Sequence, residues 1–338
     1  HMRNSVVLDT VCLYDHSVAS VYKDLTKEHL RAVVADLSTK DNSAGPSYTG
    51  NHRDYVQYVG DGDEQAGIDW ITDRIWDMHT WLVTDEDLQL SADVEETFEL
   101  CARWTVNGKK DGYKMKKLDV GRTVQAPSFE YKAYWYALFH RSDDLWSGRM
   151  AVGEAAWCIV GHDMDMPVSD ARRARMERAV SCLALDMTAF DRYMPRWLVE
   201  EFFAYMGHNV RGVPEAILAM LSNCAIYSYL EMCNSEVLQK DRGNPSGFPN
   251  TIRLNCIASL YCWLAVLRRL MQWQDLTARE LARKLDQHFH IEICGDDSRI
   301  FALTPEAAAV LRPELSLKEW EENFPWAVKV EGYVEYPE

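Results

Sequence analysis

A chain of 338 residues that is 47% hydrophobic and 26% charged holds enough apolar material for one large core or two coupled subdomains, which excludes a disordered or low-complexity chain. Its formal charge of -16 excludes a generally basic nucleic-acid binder, so any grip on phosphate must come from a local cluster. Nine cysteines without a CxxC pair argue against structural zinc and read as reduced thiols of an intracellular protein.

Residues 3 to about 110 mix short apolar segments with polar loops, notably the Ser/Asn/Gly-rich stretch from Asp41 to Tyr55, and read as a mobile, loop-rich subdomain. The next stretch reverses the global charge: Lys109, Lys110, Lys114, Lys116, Lys117 and Arg122 face only Asp111 and Asp119, enough for a narrow basic channel. The aromatic run from Phe129 to Phe139 suits core packing, with base stacking as the alternative. His162-Asp163-Met164-Asp165, just ahead of Pro167, reads as a loop rather than a second catalytic centre.

From Ser169 the pattern sharpens. Arg172 to Val180 suits a short helix, Cys182 to Leu185 a buried strand ending at Asp186, and Arg196 to Met206 a helix. The Pro and Gly residues between Arg242 and Asn250 mark a loop, after which Thr251 to Trp273 predicts a packed helix that Asn250 is placed to cap. Its apolar run from Cys256 to Leu267, bracketed by Arg253 and Arg268, falls well short of the roughly 20 residues that span a bilayer. Thr277 and Glu280 have capping-box spacing ahead of a helix with Leu281, Leu285 and Phe289 on one face. Phe289 to Cys294 and Arg299 to Leu303 then predict a hairpin with Asp296 and Asp297 at its tip. His288, His290 and Glu292 alternate along its first strand and read as a polar sheet face sooner than a metal site.

Three short segments carry chemistry. In LALDMTAFD, Asp186 projects from a strand end toward solvent or a metal, and Asp191 is far enough on to touch another part of a bound nucleotide; a plain surface turn is the bland reading. In SGFPNTIRLN, Ser246 and Gly247 sit in a flexible loop, while Thr251 and Asn255, four apart, share a helix face. That pair suits recognition of a ribose, or equally a helix cap with a buried hydrogen bond. In ICGDDSRIF, two carboxylates at a hairpin tip attract a divalent, oxygen-seeking cation, and Asp296 can join Asp186 across adjacent strands. Two ions about 3.5 to 4 Å apart can activate a hydroxyl, clamp a phosphate and stabilise a leaving group. From average usage, GDD arises by chance in roughly one chain in twenty of this length, and SG-x3-T-x3-N in fewer than about one in a hundred. Their joint appearance in order argues against accident.

The three segments together resemble the RNA-directed RNA polymerases of positive-strand RNA viruses, where D-x4-D, SG-x3-T-x3-N and GDD follow in this order; here they are DMTAFD, SGFPNTIRLN and GDD at 186–191, 246–255 and 295–297. The resemblance implies an α+β right-hand fold, with an antiparallel palm sheet, packed helices and α/β fingers. It implies fingers and N-terminal region over 3–180, a first catalytic palm strand within 181–206, a fingers insertion over 207–245, and palm over 246–338 with the thumb absent or minimal. It implies Asp186, Asp296 and Asp297 as catalytic, metal-holding residues for two Mg2+ ions, with Mn2+ able to substitute. Asp191 and Asn255, supported by Thr251, would read the ribose 2'-hydroxyl, and Ser246 and Gly247 would adjust as nucleotide enters. KMKKLDVGRTVQAP is similar to the family's triphosphate-contacting fingers element, with Arg122 the best match beside Lys116 and Lys117.

Ala307 to Leu311 and Leu315 to Trp320 would supply the helical element beyond the hairpin, and Lys329 is the candidate general acid for pyrophosphate. The implied partners are RNA template, product strand, ribonucleoside triphosphates and a viral or host protein completing the thumb. The implied place is the host cytoplasm, in a viral replication complex. A reverse transcriptase is the nearest alternative enzyme, though Asp191 stands where such enzymes place an aromatic gate. A non-catalytic RNA-binding subunit with a polymerase palm remains the alternative of a different class.

Overall fold

In the computed structural model, residues 4–15, 19–40, 44–46, 48, 50–84, 90–108, 123–151, 157–160, 168–232 and 235–336 are described. The chain begins with α1 (Ser5–Tyr14), β1 (Ser20–Val21), α2 (Lys27–Ser38), α3 (His52–Val59), α4 (Glu64–Val83) and α5 (Ala92–Ala102). There follow β2 (Arg103–Gly108), β3 (Thr123–Pro127), α6 (Phe129–Ala151), α7 (Val168–Met176), β4 (Ser181–Met187), α8 (Phe190–Tyr193), α9 (Arg196–Asn209) and β5 (Val210–Arg211). The remainder is α10 (Glu215–Ile226), β6 (Tyr229–Glu231), β7 (Val237–Gln239), α11 (Thr251–Leu270), α12 (Ala278–His288), β8 (Phe289–Cys294), β9 (Asp297–Ala302), α13 (Pro305–Val310), α14 (Pro313–Asn323) and β10 (Val328–Glu335). They form two compact units: residues 1–20, 142–211 and 252–338, and residues 21–141 and 212–251.

The first unit holds an antiparallel sheet ordered β10-β4-β9-β8. Period-two alternation gives it two unlike faces. Leu183, Leu185 and Met187 of β4 are buried with Ile291 and Ile293 of β8 and Ile300 of β9, which makes one face the core. The other carries Asp186, Arg299 and the pair His290 and Glu292, because Ala184 lies opposite Arg299 and Arg299 opposite Glu292. α11 is buried from Arg253 to Arg268, and the Asn4 amide of α1's cap donates to Tyr261 Oη at 2.8 Å. Its fully buried cation, Arg253, donates to Asp143 Oδ1 at 2.9 Å, Tyr205 Oη at 2.9 Å and Ser142 Oγ at 3.2 Å. These bonds and the charge of Asp143 offset the desolvation of the guanidinium.

The second unit holds a mixed sheet ordered β3-β2-β6-β7 with α2–α5 and α10. Here the expectation of a mobile, loop-rich N-terminal region is corrected: α2 to α5 are regular helices. Leu30, Val34 and Leu37 of α2, and Ile68, Ile71, Ile75 and Met78 of α4, recur at three- and four-residue spacing and are buried. Thr26, Asn51, Asp63 and Ser91 accept hydrogen bonds from first-turn amides and fix where these helices start. Phe129, Tyr131, Tyr134, Trp135 and Phe139 of the aromatic run are fully buried, so they pack the core.

The predicted boundaries around the hairpin shift slightly. The Thr277–Glu280 capping box is present, but α12 ends at His288, and Phe289, expected on the helix face, opens β8. α13 and α14 occupy the segments expected to be helical. His290 and Glu292 do form a polar sheet pair, yet they are buried, which sequence alternation did not anticipate. The reason is Arg172 of α7, which donates to both Glu292 oxygens, the Nη2–Oε2 bond measuring 2.8 Å. Every described cysteine is a free thiol, and among the described residues no helix is long and apolar enough to cross a membrane.

Candidate active site

In the first unit, the carboxylates meet at one end of the sheet because three chain segments turn there. β4 delivers Asp186 as its penultimate residue, on the non-core face. The β8–β9 hairpin closes over a two-residue loop: Cys294 pairs with Asp297, leaving Gly295 and Asp296 between them. Gly295 has φ +69°, the left-handed conformation that a tight hairpin loop demands and glycine adopts freely. Asp297, expected at the tip beside Asp296, is thus the first residue of β9. The Gly295 amide donates to Cys256 Sγ at 3.2 Å, tying the tip to α11.

Asp296 shows what this crowding does. Burial raises its pKa, and the charges of Asp297, Asp191 and Asp186 raise it further. The four carboxyl groups therefore share one electrostatic neighbourhood. Hard oxygen donors in mutual repulsion suit a divalent cation, whose charge would relieve that repulsion. Among the described residues, no group of three or more His, Cys, Asp or Glu side chains stands close enough together to hold a metal ion as the chain is arranged here.

Asp191 follows a turn in which Ala189 has φ 51° and ψ 49°. Its Oδ1 accepts from Asn255 Nδ2 at 2.9 Å, which joins two of the residues expected to read a sugar. Lys329 of β10 lies directly across from Asp186 in the ladder, so the two project from the same face.

In the second unit, Ser246 and Gly247, expected in a flexible loop, are bonded to β3. The Gln125 amide donates to Ser246 Oγ at 3.3 Å, and the Gly247 amide donates to Gln125 O at 2.9 Å. A Cβ on Gly247 would stand 2.3 Å from Gln125 O, so only glycine allows this approach. Thr251 Oγ1 bonds the carbonyls of Phe248 at 2.9 Å and Pro245 at 3.2 Å and so braces the same loop. Lys116, Lys117 and Arg122, and likewise His162 to Asp165, lie outside the described residues.

Sequence reasoning passed over Cys256, Phe190, Trp326 and Arg172. Only Phe190 carried a signal, as the aromatic residue inside DMTAFD; the others act through partners distant in the chain.

A four-stranded antiparallel sheet that gathers carboxylates from a central strand and a neighbouring hairpin defines a polymerase palm in a mixed α+β protein. The comparisons with known proteins agree. A profile described as viral RNA-dependent RNA polymerase matches residues 13–318, and the chain belongs to that family. The fold is similar to that of the Sicinivirus 3Dpol RNA-dependent RNA polymerase, with a TM-score of 0.59 at 13% identity over 97% of this chain and 63% of that one. The chain thus spans less than two thirds of the length of that polymerase. No curated protein matches.

Proposed function

We propose that this chain catalyses template-directed RNA synthesis, joining ribonucleoside triphosphates to an RNA 3'-hydroxyl with release of pyrophosphate. The observation that carries the reading is the convergence of Asp186 at the end of β4 with Asp296 and Asp297 of the adjoining β8–β9 hairpin, where the neighbouring carboxylates help to raise the pKa of Asp296. Asp186 and Asp296, with Asp297 in support, would hold two Mg2+ ions, for which Mn2+ can substitute. Such ions, when bound, supply Lewis acidity toward phosphate and lower the pKa of an attacking hydroxyl.

The chain's own groups do the rest. Asn255 Nδ2 orients Asp191, whose carboxylate can accept several hydrogen bonds and would take one from a ribose 2'-hydroxyl, so a deoxynucleotide forgoes that bond. Ser246 and Gly247, braced by Thr251, are assigned the loop that adjusts as nucleotide enters. Lys116, Lys117 and Arg122 are assigned the triphosphate, whose charge needs cationic partners. Lys329, the register partner of Asp186, is assigned the proton given to pyrophosphate at Nζ. In domain terms, residues 181–206 and 246–338 contribute palm and 3–180 with 207–245 contribute fingers. Template, product strand and a viral or host protein completing a thumb are the proposed partners, in a replication complex in the host cytoplasm.

The test is extension of a primed RNA template by purified protein with four ribonucleotides and Mg2+ or Mn2+. Parent protein should extend the primer, and Asp296→Ala should be slower by at least about 100-fold, the scale of losing a group that organises transition-state charge. Equal incorporation by parent and variant, or none by the parent, refutes the reading.

A further inference from the structure

The turn that delivers Asp191 is held from outside. Ala189 sits in the left-handed region, which non-glycine residues rarely adopt, and it gives α8 no side-chain cap. The short helix that follows has only four residues and cannot fix its own start. What holds it comes from residues 326 and 327, just before β10. Trp326 Nε1–H donates to the Phe190 carbonyl at 2.9 Å. The two rings stack, centroids 4.7 Å apart at 25°. The Thr188 amide donates to Ala327 O at 3.0 Å. Both Trp326 and Phe190 are 2% exposed, so water does not compete for these bonds.

Trp326 is itself seated on an aromatic series that leads to α11. Its ring lies 5.8 Å from that of Phe324 and 6.5 Å from that of Trp320, and Trp320 meets Trp263 edge-on at 5.2 Å. Trp263 stands on the same helix as Asn255. The two halves of the Asp191–Asn255 hydrogen bond are thus referred to one packed group, one through Phe190 and the other through α11.

We propose that Trp326 is a positioning residue for sugar selection: its indole N–H and ring hold the 188–191 turn so that Asp191 meets both Asn255 and a 2'-hydroxyl. The sugar half of this inference rests on the RNA-synthesis reading above. The positioning half does not. Trp326→Phe keeps an aromatic ring and removes the N–H donor. The ratio of ribonucleotide to deoxyribonucleotide kcat/KM should then fall about 10-fold, the size of one lost buried hydrogen bond. The fall should lie on the ribonucleotide side. Phe324→Leu loosens the seat of Trp326 but keeps the N–H donor to Phe190, and should lower the ratio by clearly less than Trp326→Phe does.

Amide hydrogen exchange reads the positioning directly, with or without nucleotide. In Trp326→Phe, amides of residues 188–193 should exchange at least about 10-fold faster while those of β4 keep their protection. An unchanged ratio in an active Trp326→Phe, an equal fall in Phe324→Leu, or unaltered exchange at 188–193 overturns the proposal. A parent that extends no RNA refutes the synthesis reading alone, and the exchange measurement then decides the role of Trp326.

Discussion

Replacing Arg172 with methionine should cost most of the stability stored in a buried ion pair on the first strand of the β8–β9 hairpin, and the cost should shrink in acid. Glu292 is fully buried on β8, four residues before Asp296, and Arg172 is 13% exposed. Burial alone would raise the Glu292 pKa; hydrogen bonds from His290 and Arg172, with the charge of Arg172, reverse this and bring it down to about 2. The His290 Nε2–Oε1 distance is 3.2 Å, and because an ionised carboxylate only accepts, Nε2 carries the proton. A folded pKa near 2 against an ordinary 4.5 means the folded state favours the charged form. The contribution is fully present above about pH 4.5 and is lost as pH falls toward 2. At 1.36 kcal/mol per pKa unit, linkage gives on the order of 3 kcal/mol at pH 7, somewhat less at pH 4 and about 1 kcal/mol at pH 3. Among the described residues, Arg172→Met leaves His290 to stabilise the anion, so the loss should be about 2–3 kcal/mol at pH 7 and about 1 kcal/mol at pH 3. Urea titrations of parent and variant at the three pH values measure it. A loss below about 1 kcal/mol at pH 7, or one of equal size at pH 7 and pH 3, would refute the reasoning.

Two further outcomes follow from the carboxylate group. Asn255→Ala removes a charge-assisted bond worth about 1.5–3 kcal/mol, so the ratio of ribonucleotide to deoxyribonucleotide incorporation should shrink about 10-fold or more in single-nucleotide extension; an unchanged ratio would make Asn255 a structural helix residue. Asp296→Asn should unfold at a slightly higher urea concentration than the parent at pH 7 without metal, because it removes a partly desolvated charge at the hairpin tip that is repelled by three others. The raised folded pKa means that penalty is absent below about 3.8 and grows as pH rises past it. The gain should therefore disappear at pH 3.5, and a lower midpoint at pH 7 would contradict it.

How far the sequence could be read depended on the reach of each interaction. The GDD hairpin was legible because a strand, a Gly-Asp loop and a strand lie within fourteen residues, and Gly295 announces the one backbone conformation that closes it. Asp191 and Asn255 were legible as a pair only through the resemblance, since 64 residues separate them. The fate of Glu292 was not legible: alternation placed it beside His290, but Arg172, which permits its burial, lies 120 residues away. Trp326 gave no local sign, because its role arises 136 residues upstream at Phe190. The N-terminal helices were missed for another reason. The polar stretch from Asp41 to Tyr55 suggested loops, while the apolar stripes of α2 and α4 were interrupted by charge and by Gly67.

The position of β4 between β9 and β10 sets a timetable for the chain's own birth. When the ribosome has finished Met187, neither neighbour exists: Asp297 lies about 110 residues ahead and Val328 about 140. At roughly 5–20 residues per second, β4 waits several seconds to half a minute with both edges open. Its inward side chains Leu183, Leu185 and Met187 are apolar throughout that wait. The strand that carries Asp186 is therefore the segment most in need of shelter during synthesis, and slower translation of residues 188–335 should increase aggregation of nascent chains more than slower translation of the residues before them.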